Sequence, residues 1–148
     1  MSVMQSSRPL AANLPPAQVD SCIYFPAGLV GCSTWKRFVL LSDAEEDLPV
    51  AALQCLDERG VTFMVTDPVV VSSEYEAPLS AGDRAELGLD DETTPVVYCT
   101  LTVGDGGELT ANLLGPLVIN PTTRKGKQLV LADSGYSACH PVGNMGAE

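Results

Sequence analysis

The pair of residues with the clearest capacity for chemistry is Cys139 beside His140, the only histidine in the chain. A thiol next to an imidazole is the combination that thiol-dependent enzymes use as nucleophile and base. Neighbouring residues on a strand, however, point to opposite faces, so adjacency alone does not bring the two groups together. A thiol-dependent or hydrolytic enzyme is therefore the catalytic alternative, and it requires a fast-reacting thiol of low pKa at Cys139.

The cysteines do not have the spacing of a metal site. There are five, an odd number, and no two of them form a Cys-x-x-Cys pair. Structural zinc sites need four soft ligands, usually in closely spaced pairs. The sequence therefore predicts no metal and no cofactor. It indicates that most of the cysteines are buried and reduced, as in a cytosolic protein. They are Cys22, Cys32, Cys55, Cys99 and Cys139.

Two further motifs have a structural and a functional interpretation. The glycine-rich stretch Gly104–Gly107 lacks the spacing of a phosphate-binding loop, and the pattern favours a hairpin turn. The stretch Thr123–Lys127 contains three of the eight basic residues, so it is either an anion-binding site or a solvated turn. No Gly-x-Ser-x-Gly elbow occurs in the sequence. These observations favour a binding protein over an enzyme.

The charge of the chain narrows the class of partner. Eight basic and nineteen acidic residues give a net charge of −11, and residues 43–92 carry a net −12 from fourteen acids and two bases. Such a chain is repelled by nucleic acid phosphates and by anionic membrane surfaces. Basic proteins are its natural charged partners, and the alternative is a surface whose acids serve solubility alone.

The elements that must position these residues follow a strand pattern. Short runs rich in β-branched residues recur every 8–12 residues between turns, which predicts an all-β, small antiparallel barrel or sandwich. One short helix is predicted at 81–87, with Ser80 as its N-cap and Gly88 at its end. Val69–Val71 is predicted to be extended, after a stop at Asp67-Pro68. The predicted strands are Arg37–Leu41, Val50–Leu56, Val61–Thr66, Pro95–Val103, Glu108–Leu114, Leu117–Asn120 and Gln128–Leu131.

The length of 148 residues suits one domain. Residues 1–20 are predicted to be a loose N-terminal tail, 21–143 the β domain, and 144–148 a C-terminal tail. No apolar run approaches the roughly 20 residues that span a bilayer, and the N-terminus lacks the basic-then-apolar pattern of a secretory signal peptide. We therefore expect a cytoplasmic protein.

Several blocks in this order resemble the FliW flagellar assembly factors. The most similar is Thr110–Asn120, and the resemblance extends over about residues 22–142. The chain departs from the family pattern, which commonly has Pro-Gly-Phe-Glu at Val30–Ser33 and Arg at Cys139, and the family's first strand, near residues 5–20, is barely recognisable. The blocks are Phe25–Leu29, Arg37–Leu41, Leu53–Cys55, Phe63–Pro68, Thr110–Asn120, Gly126–Gln128, Tyr136–Ser137 and His140–Pro141.

The resemblance implies a small β-barrel-like protein that is not an enzyme. FliW proteins bind CsrA, a dimeric RNA-binding regulator, and so relieve its repression of flagellin translation. They also bind newly made cytosolic flagellin, which competes with CsrA for FliW. The runner-up is a chaperone-like binder dedicated to flagellin, without activity on CsrA. A β-barrel ligand carrier is a third possibility, and it needs an apolar pocket.

The partner surface is expected to combine apolar anchors with acids that steer the approach of a basic partner. The structural alternative is that Leu113, Val118 and Ile119 are core residues. In the same view, Asn112 and Asn120 satisfy backbone groups near Gly115-Pro116. The candidate partner-binding residues are Thr66, Asp67, Pro68, Glu74, Glu76, Asn112, Leu113, Leu114, Pro116 and Asn120.

Overall fold

The computed structural model describes residues 22–41 and 50–142. The predicted tails at 1–20 and 144–148 and the acidic turn at Ser42–Asp47 lie outside these residues. Among the described residues, no helix has the length and hydropathy needed to cross a bilayer. The elements are β1 (Ile23–Tyr24), β2 (Arg37–Leu41), β3 (Val50–Cys55), β4 (Thr62–Thr66), α1 (Pro68–Val71), α2 (Ala81–Leu87), β5 (Val96–Val103), β6 (Leu109–Ala111), β7 (Leu117–Ile119), β8 (Gly126–Gln128) and β9 (His140–Pro141).

The strands form one antiparallel sheet that curls into a nearly closed barrel. Its main order is β1-β2-β3-β4-β5-β6-β9. The long strand β5 divides between partners, because its middle pairs with β4 while residues 96–98 pair with β7. Strand β8 extends this branch, and a bridge between Tyr24 and Lys125 links it back to the start of the sheet. The predicted all-β fold class is confirmed.

Alternation along the strands places a buried cluster on each face of the sheet, while strand residues such as Thr62 and Met64 stay exposed. One face holds Phe38, Leu53 and Val65, which pack with Phe25 and Leu117 in the largest core cluster. The Phe25 and Phe38 rings meet edge to face, with their centroids 5.4 Å apart. A second cluster, around Tyr75, Cys99, Leu101, Ala111 and Leu113, is shared by β5, β6 and the loops that follow α1 and β6.

The predicted helix is confirmed as α2, residue for residue. The Ser80 hydroxyl accepts a hydrogen bond from the Asp83 N–H at 3.0 Å, and the Asp83 carboxylate accepts one from the Ser80 N–H at 3.1 Å. This reciprocal capping box satisfies two donors that would otherwise lack partners at the helix start. Gly88 ends the helix in the left-handed conformation, which costs a residue without Cβ little.

The prediction that Val69–Val71 is extended is wrong, because these residues form the single helical turn α1. The Asp67 carboxylate accepts a hydrogen bond from the Val69 N–H at 3.0 Å and caps this turn. Pro68 stands at its first position, where a fixed φ suits a helix and the missing N–H is no loss. Local capping therefore overrides the strand preference of the valines, and the described residues contain two short helices where the sequence predicted one.

The strand predicted at Gln128–Leu131 is wrong in both bounds, because β8 begins at Gly126 and ends at Gln128. The Asn120 N–H donates to the Lys125 carbonyl and the Arg124 N–H donates to the Asn120 carbonyl, so the turn closes before Gly126. Arg124 adopts a positive φ of 64°, which allows this tight closure. The predicted strand start was placed too late because the turn was assigned the basic residues up to Lys127.

All five cysteines are reduced in the structure. Only Cys55 and Cys99 are fully buried, whereas Cys22 and Cys32 are partly buried and Cys139 is exposed. The prediction that most of the cysteines are buried is therefore wrong, because only two of the five are.

Candidate functional site

A groove opens where strands β4 and β5 separate. Strand β4 ends at Thr66 and the chain turns into α1, while the first residues of β5 turn away to pair with β7. The resulting groove has a volume of about 830 Å³. Residues from the end of β4, from α1, from the loop after it and from the start of β5 form its walls.

The walls of the groove are largely apolar and accessible. Val69 and Val70 of α1 are 49% and 48% exposed, and Val96 at the start of β5 is also exposed. Tyr75 and Ala77 continue the apolar wall toward the second core cluster. Three neighbouring exposed valines at one concave surface are unusual for a solvent-facing region, and such patches commonly mark interaction sites.

Acidic side chains stand at and beside this groove. Asp67 lines it and is exposed, and Glu74 and Glu76 are exposed on the segment that flanks Tyr75. Burial raises the pKa of Tyr98, the nearby Asp67 carboxylate raises it further, and Arg124 opposes that effect. The groove therefore offers an apolar surface with negative charge at its edge.

Tyr75 connects the groove to the block of residues that most resembles the FliW family. Its hydroxyl donates a 2.8 Å hydrogen bond to the Leu113 carbonyl, and its ring lies 4.6 Å from the ring of Tyr136. The Tyr136 hydroxyl in turn accepts a hydrogen bond from the Glu76 N–H at 3.1 Å. Burial raises the pKa of Tyr75, so the phenol stays neutral and remains a donor at physiological pH.

The structure divides the predicted site residues into two groups. Thr66, Asp67 and Pro68 line the groove, and Glu74 and Glu76 lie beside it. The other five do not line it, and they shape turns elsewhere. They are Asn112, Leu113, Leu114, Pro116 and Asn120.

Asn112 and its neighbours stabilise the turn between β6 and β7. The Asn112 carboxamide oxygen accepts hydrogen bonds from the N–H groups of Leu114 and Gly115 at 3.1 and 2.9 Å. Leu113 and Pro116 are buried, and Leu114 is half-buried. In this conformation the turn residues therefore support the fold, and Leu113 presents no surface to a partner.

Asn120 joins the β7–β8 turn to the end of α2. Its amide nitrogen donates to the Leu87 carbonyl at 2.8 Å, and its oxygen accepts from the Thr122 N–H at 2.9 Å. The side chain is almost completely buried. Asn120 thus satisfies backbone groups, as the structural alternative expected, and the burial of Val118 and Ile119 confirms them as core residues.

Sequence reasoning missed the valines that line the groove. Val69 and Val70 were assigned to an extended segment, and Val96 and Val97 to the interior of a strand. The available signal was Asp67-Pro68, since an N-cap residue followed by proline is typical of a helix start. A helical turn at this point exposes the two valines that a buried strand would hide.

The other chemical candidates lie apart from the groove lining. Cys139 is exposed and precedes β9, and its N–H donates to the Ser137 hydroxyl at 2.9 Å. Only His140 of the pair belongs to a strand, so strand alternation does not determine the direction of the Cys139 side chain. In the part of the chain that the structure describes, no cluster of three metal-ligating side chains occurs.

The basic residues of Thr123–Lys127 do not act as one patch. The Lys127 ammonium group lies 2.7 Å from carboxylate oxygens of both Asp83 and Glu86 on α2. The hydrogen bonds that Lys127 donates to these carboxylates raise the pKa of Lys127, and the contact with Lys127 lowers the pKa of Asp83. This pairing ties the β8 strand to the helix, which favours the structural interpretation of the turn.

The chain matches known proteins over most of its length. The family model described as FliW protein matches residues 12–142. The flagellar assembly factor FliW of Natranaerobius thermophilus is 37% identical over 127 residues, with 84% of this chain and 83% of that protein covered. The factor of the same name from Bacillus subtilis is 34% identical over 125 residues, with 84% and 87% covered.

A solved structure agrees with both matches. The crystal structure of the flagellar assembly factor FliW superposes with a TM-score of 0.74 at 32% sequence identity, covering 82% of this chain and 84% of that one. The shared barrel confirms the resemblance found in the sequence blocks. On these grounds the chain belongs to the FliW family of flagellar assembly factors.

Proposed function

We propose that this protein binds the translational regulator CsrA and relieves its repression of flagellin translation. We also propose that it binds cytosolic flagellin, so that export of flagellin releases it to act on CsrA. The observation that carries the proposal is membership of the FliW family over nearly the whole body of the chain. In this role the protein is a cytoplasmic binding protein and not an enzyme.

The charge of the chain supports a basic protein as partner. The net charge is −11, and Asp67, Glu74 and Glu76 place exposed acids at or near the apolar groove. Opposite charge mainly accelerates association, whereas buried apolar anchors supply most of the affinity. A groove with apolar walls and an acidic edge has both components.

A flagellin-dedicated binder without activity on CsrA is the second candidate. The departures from the family pattern at Val30–Ser33 and at Cys139 reach the surface, since Val30 is 63% exposed and Cys139 is exposed. The Val30 N–H also donates to the Gln128 side chain, so this loop is fixed in its own conformation. A CsrA contact that relied on the usual residues at these positions would be lost here.

Size-exclusion chromatography and titration calorimetry with CsrA and flagellin from the same genome test the proposal. Binding to CsrA that flagellin displaces is the expected result. Binding to flagellin alone would favour the second candidate, and binding to neither would refute both.

The acidic residues have their own test. Reversal of charge in a Glu74→Lys, Glu76→Lys double variant should weaken binding and reduce its dependence on salt concentration. The matched control is the Asp105→Lys, Glu108→Lys double variant, which reverses two exposed acids at the Gly104–Gly107 turn. Wild-type affinity with an unchanged salt dependence in the double variant would exclude Glu74 and Glu76 from the partner surface.

The thiol alternative is tested by alkylation. A catalytic Cys139 should react with iodoacetamide much faster than free cysteine, and we expect it to react no faster.

A further inference from the structure

We infer that the groove binds an extended apolar segment of a partner protein, next to a Lys or Arg, and that this segment pairs as a short strand with the main chain of Val97. The inference rests on the proposed function for the identity of the partner. The surface itself follows from the geometry of β4, α1 and β5.

Hydrogen bonding along β5 fixes the direction of the Val97 main chain. The Asn112 N–H donates to the Thr100 carbonyl, so the polar groups of Thr100 point toward β6. In an antiparallel ladder these directions alternate from residue to residue. The N–H and C=O of Cys99 therefore point toward β4, where Cys99 pairs with Thr66, and those of Val97 point to the same side.

Strand β4 does not continue far enough to pair with Val97. The next pairing position, two residues beyond Thr66, is occupied by Pro68, which has no N–H and begins α1. The N–H and C=O of Val97 therefore lack a strand partner on that side among the described residues. Since Val97 also lines the groove, the groove contains a short open sheet edge.

The side chains beside this edge suit an apolar peptide. Val69 and Val70 of α1 line the groove together with Val96 of β5, and all three valines are exposed. An extended peptide presents alternate side chains to opposite sides, so one set would contact these valines while its main chain bonds to Val97. Strand addition of this kind combines main-chain hydrogen bonds with pockets for side chains.

The charge at the groove selects the flanking residue of that peptide. Asp67 is exposed at the groove, with Glu74 and Glu76 on the adjoining segment, and no Lys or Arg of the described residues lines it. A peptide with Lys or Arg beside its apolar residues therefore gains attraction here, whereas an acidic peptide is repelled.

Titration of the 15N-labelled full chain with acetyl-Lys-Val-Ile-Val-Lys-amide tests the groove directly. We expect amide shift changes at Val69, Val70 and Val97, and slower hydrogen exchange at the Val97 amide. The Asp67→Asn variant retains the helix cap but loses the charge, and it should bind the peptide several-fold more weakly. No shifts at the groove up to millimolar peptide, or shifts confined to another surface, would overturn the inference.

Two matched substitutions test the groove with protein partners. Val70→Glu places a charge in the groove, and we expect at least tenfold weaker binding of CsrA or flagellin. Val103→Glu is the control, since Val103 is 61% exposed at the other end of β5, and its effect should stay within about twofold. Val70→Thr removes the apolar character with little change in shape, and thermal melts show whether each variant is folded.

The outcomes separate this inference from the proposed function. If a partner binds wild type and Val70→Glu to the same extent, the proposed function stands and the groove inference fails. If neither partner binds wild type but the peptide occupies the groove, the proposed function fails and the groove inference stands. If neither the partners nor the peptide bind, both fail.

Discussion

Removal of one hydroxyl group tests the connection between the groove and the β6–β7 turn. In Tyr75→Phe the ring keeps its place beside Tyr136, but the hydrogen bond to the Leu113 carbonyl is lost. Tyr75 is only 7% exposed and Leu113 is fully buried. Water therefore has poor access to the carbonyl that loses its donor.

The burial of this hydrogen bond sets the expected loss of stability in Tyr75→Phe. Leaving a buried acceptor without its donor costs about 1–3 kcal/mol. The lower part of this range, about 1–2 kcal/mol, is expected here because phenylalanine preserves the packing of the ring. For a chain of this length, 1 kcal/mol lowers the melting temperature by about 3 °C. The Tyr75→Phe variant should therefore melt about 3–6 °C below wild type.

Differential scanning calorimetry and urea titration measure this change. Tyr24→Phe is the control, because Tyr24 is 44% exposed and removal of its hydroxyl should cost the protein little stability. The control should melt within about 1 °C of wild type. Equal melting temperatures for Tyr75→Phe and wild type would refute the assignment of this hydrogen bond as a structural link.

Three further substitutions probe the fold. Ser80→Ala removes the oxygen that caps α2 by accepting from the Asp83 N–H, and the free energy of unfolding in urea should fall by about 1 kcal/mol; an unchanged midpoint would contradict this. Gly126→Ala would place a Cβ 2.6 Å from the buried Phe25 ring, so calorimetry should show a loss of about 1–3 kcal/mol, and wild-type stability would show that the ring moves freely. Burial raises the pKa of Cys99 from 9.0 to about 11. Because the folded protein holds this thiol proton more tightly than the unfolded chain, the shift stabilises the fold below pH 9 by about 3 kcal/mol. This stabilisation is lost as the pH rises from 9 to about 11. Melting temperatures measured across that interval should fall less steeply for Cys99→Ala than for wild type. Melting temperatures that fall equally steeply for both proteins would refute ionisation of Cys99 as the cause of the loss.

The strands and the capped helix could be predicted because their signals are local. Arg37–Leu41 has the residues of a strand and is one, with the same limits. Ser80, Asp83 and Gly88 lie within a few residues of the helix that they begin and end. Interactions over such short separations form whatever the rest of the chain does, so the sequence alone identifies them.

The groove could not be predicted because it depends on which strands pair. Nothing local to Val97 reveals that residues 96–98 of β5 pair with β7, while the pairing with β4 begins only at Cys99. The sequence also does not show that Tyr75 reaches Leu113 across 38 positions. Both features require the register of strands that are distant in the chain, and that register is set by the core that they share.

Part of the groove lining was chosen from the sequence, and the partner-binding role of those residues stays a prediction. Thr66, Asp67 and Pro68 were chosen from sequence blocks and prove to line the groove. Leu113 and Asn120 came from the most similar block and prove to be buried supports. A block shared with a family does not distinguish residues that hold the fold from residues that meet a partner, and only burial separates them.

The sequence by itself determined the class of fold, the acidic character and the family resemblance. They depend on composition, on the alternation of apolar and polar residues and on the order of motifs. All three are already present in the unfolded chain. The tertiary structure decided which of those motifs are accessible. Val69 and Val70 are exposed because Asp67 and Pro68 begin a helical turn, and the Val97 edge is open because that same turn ends β4.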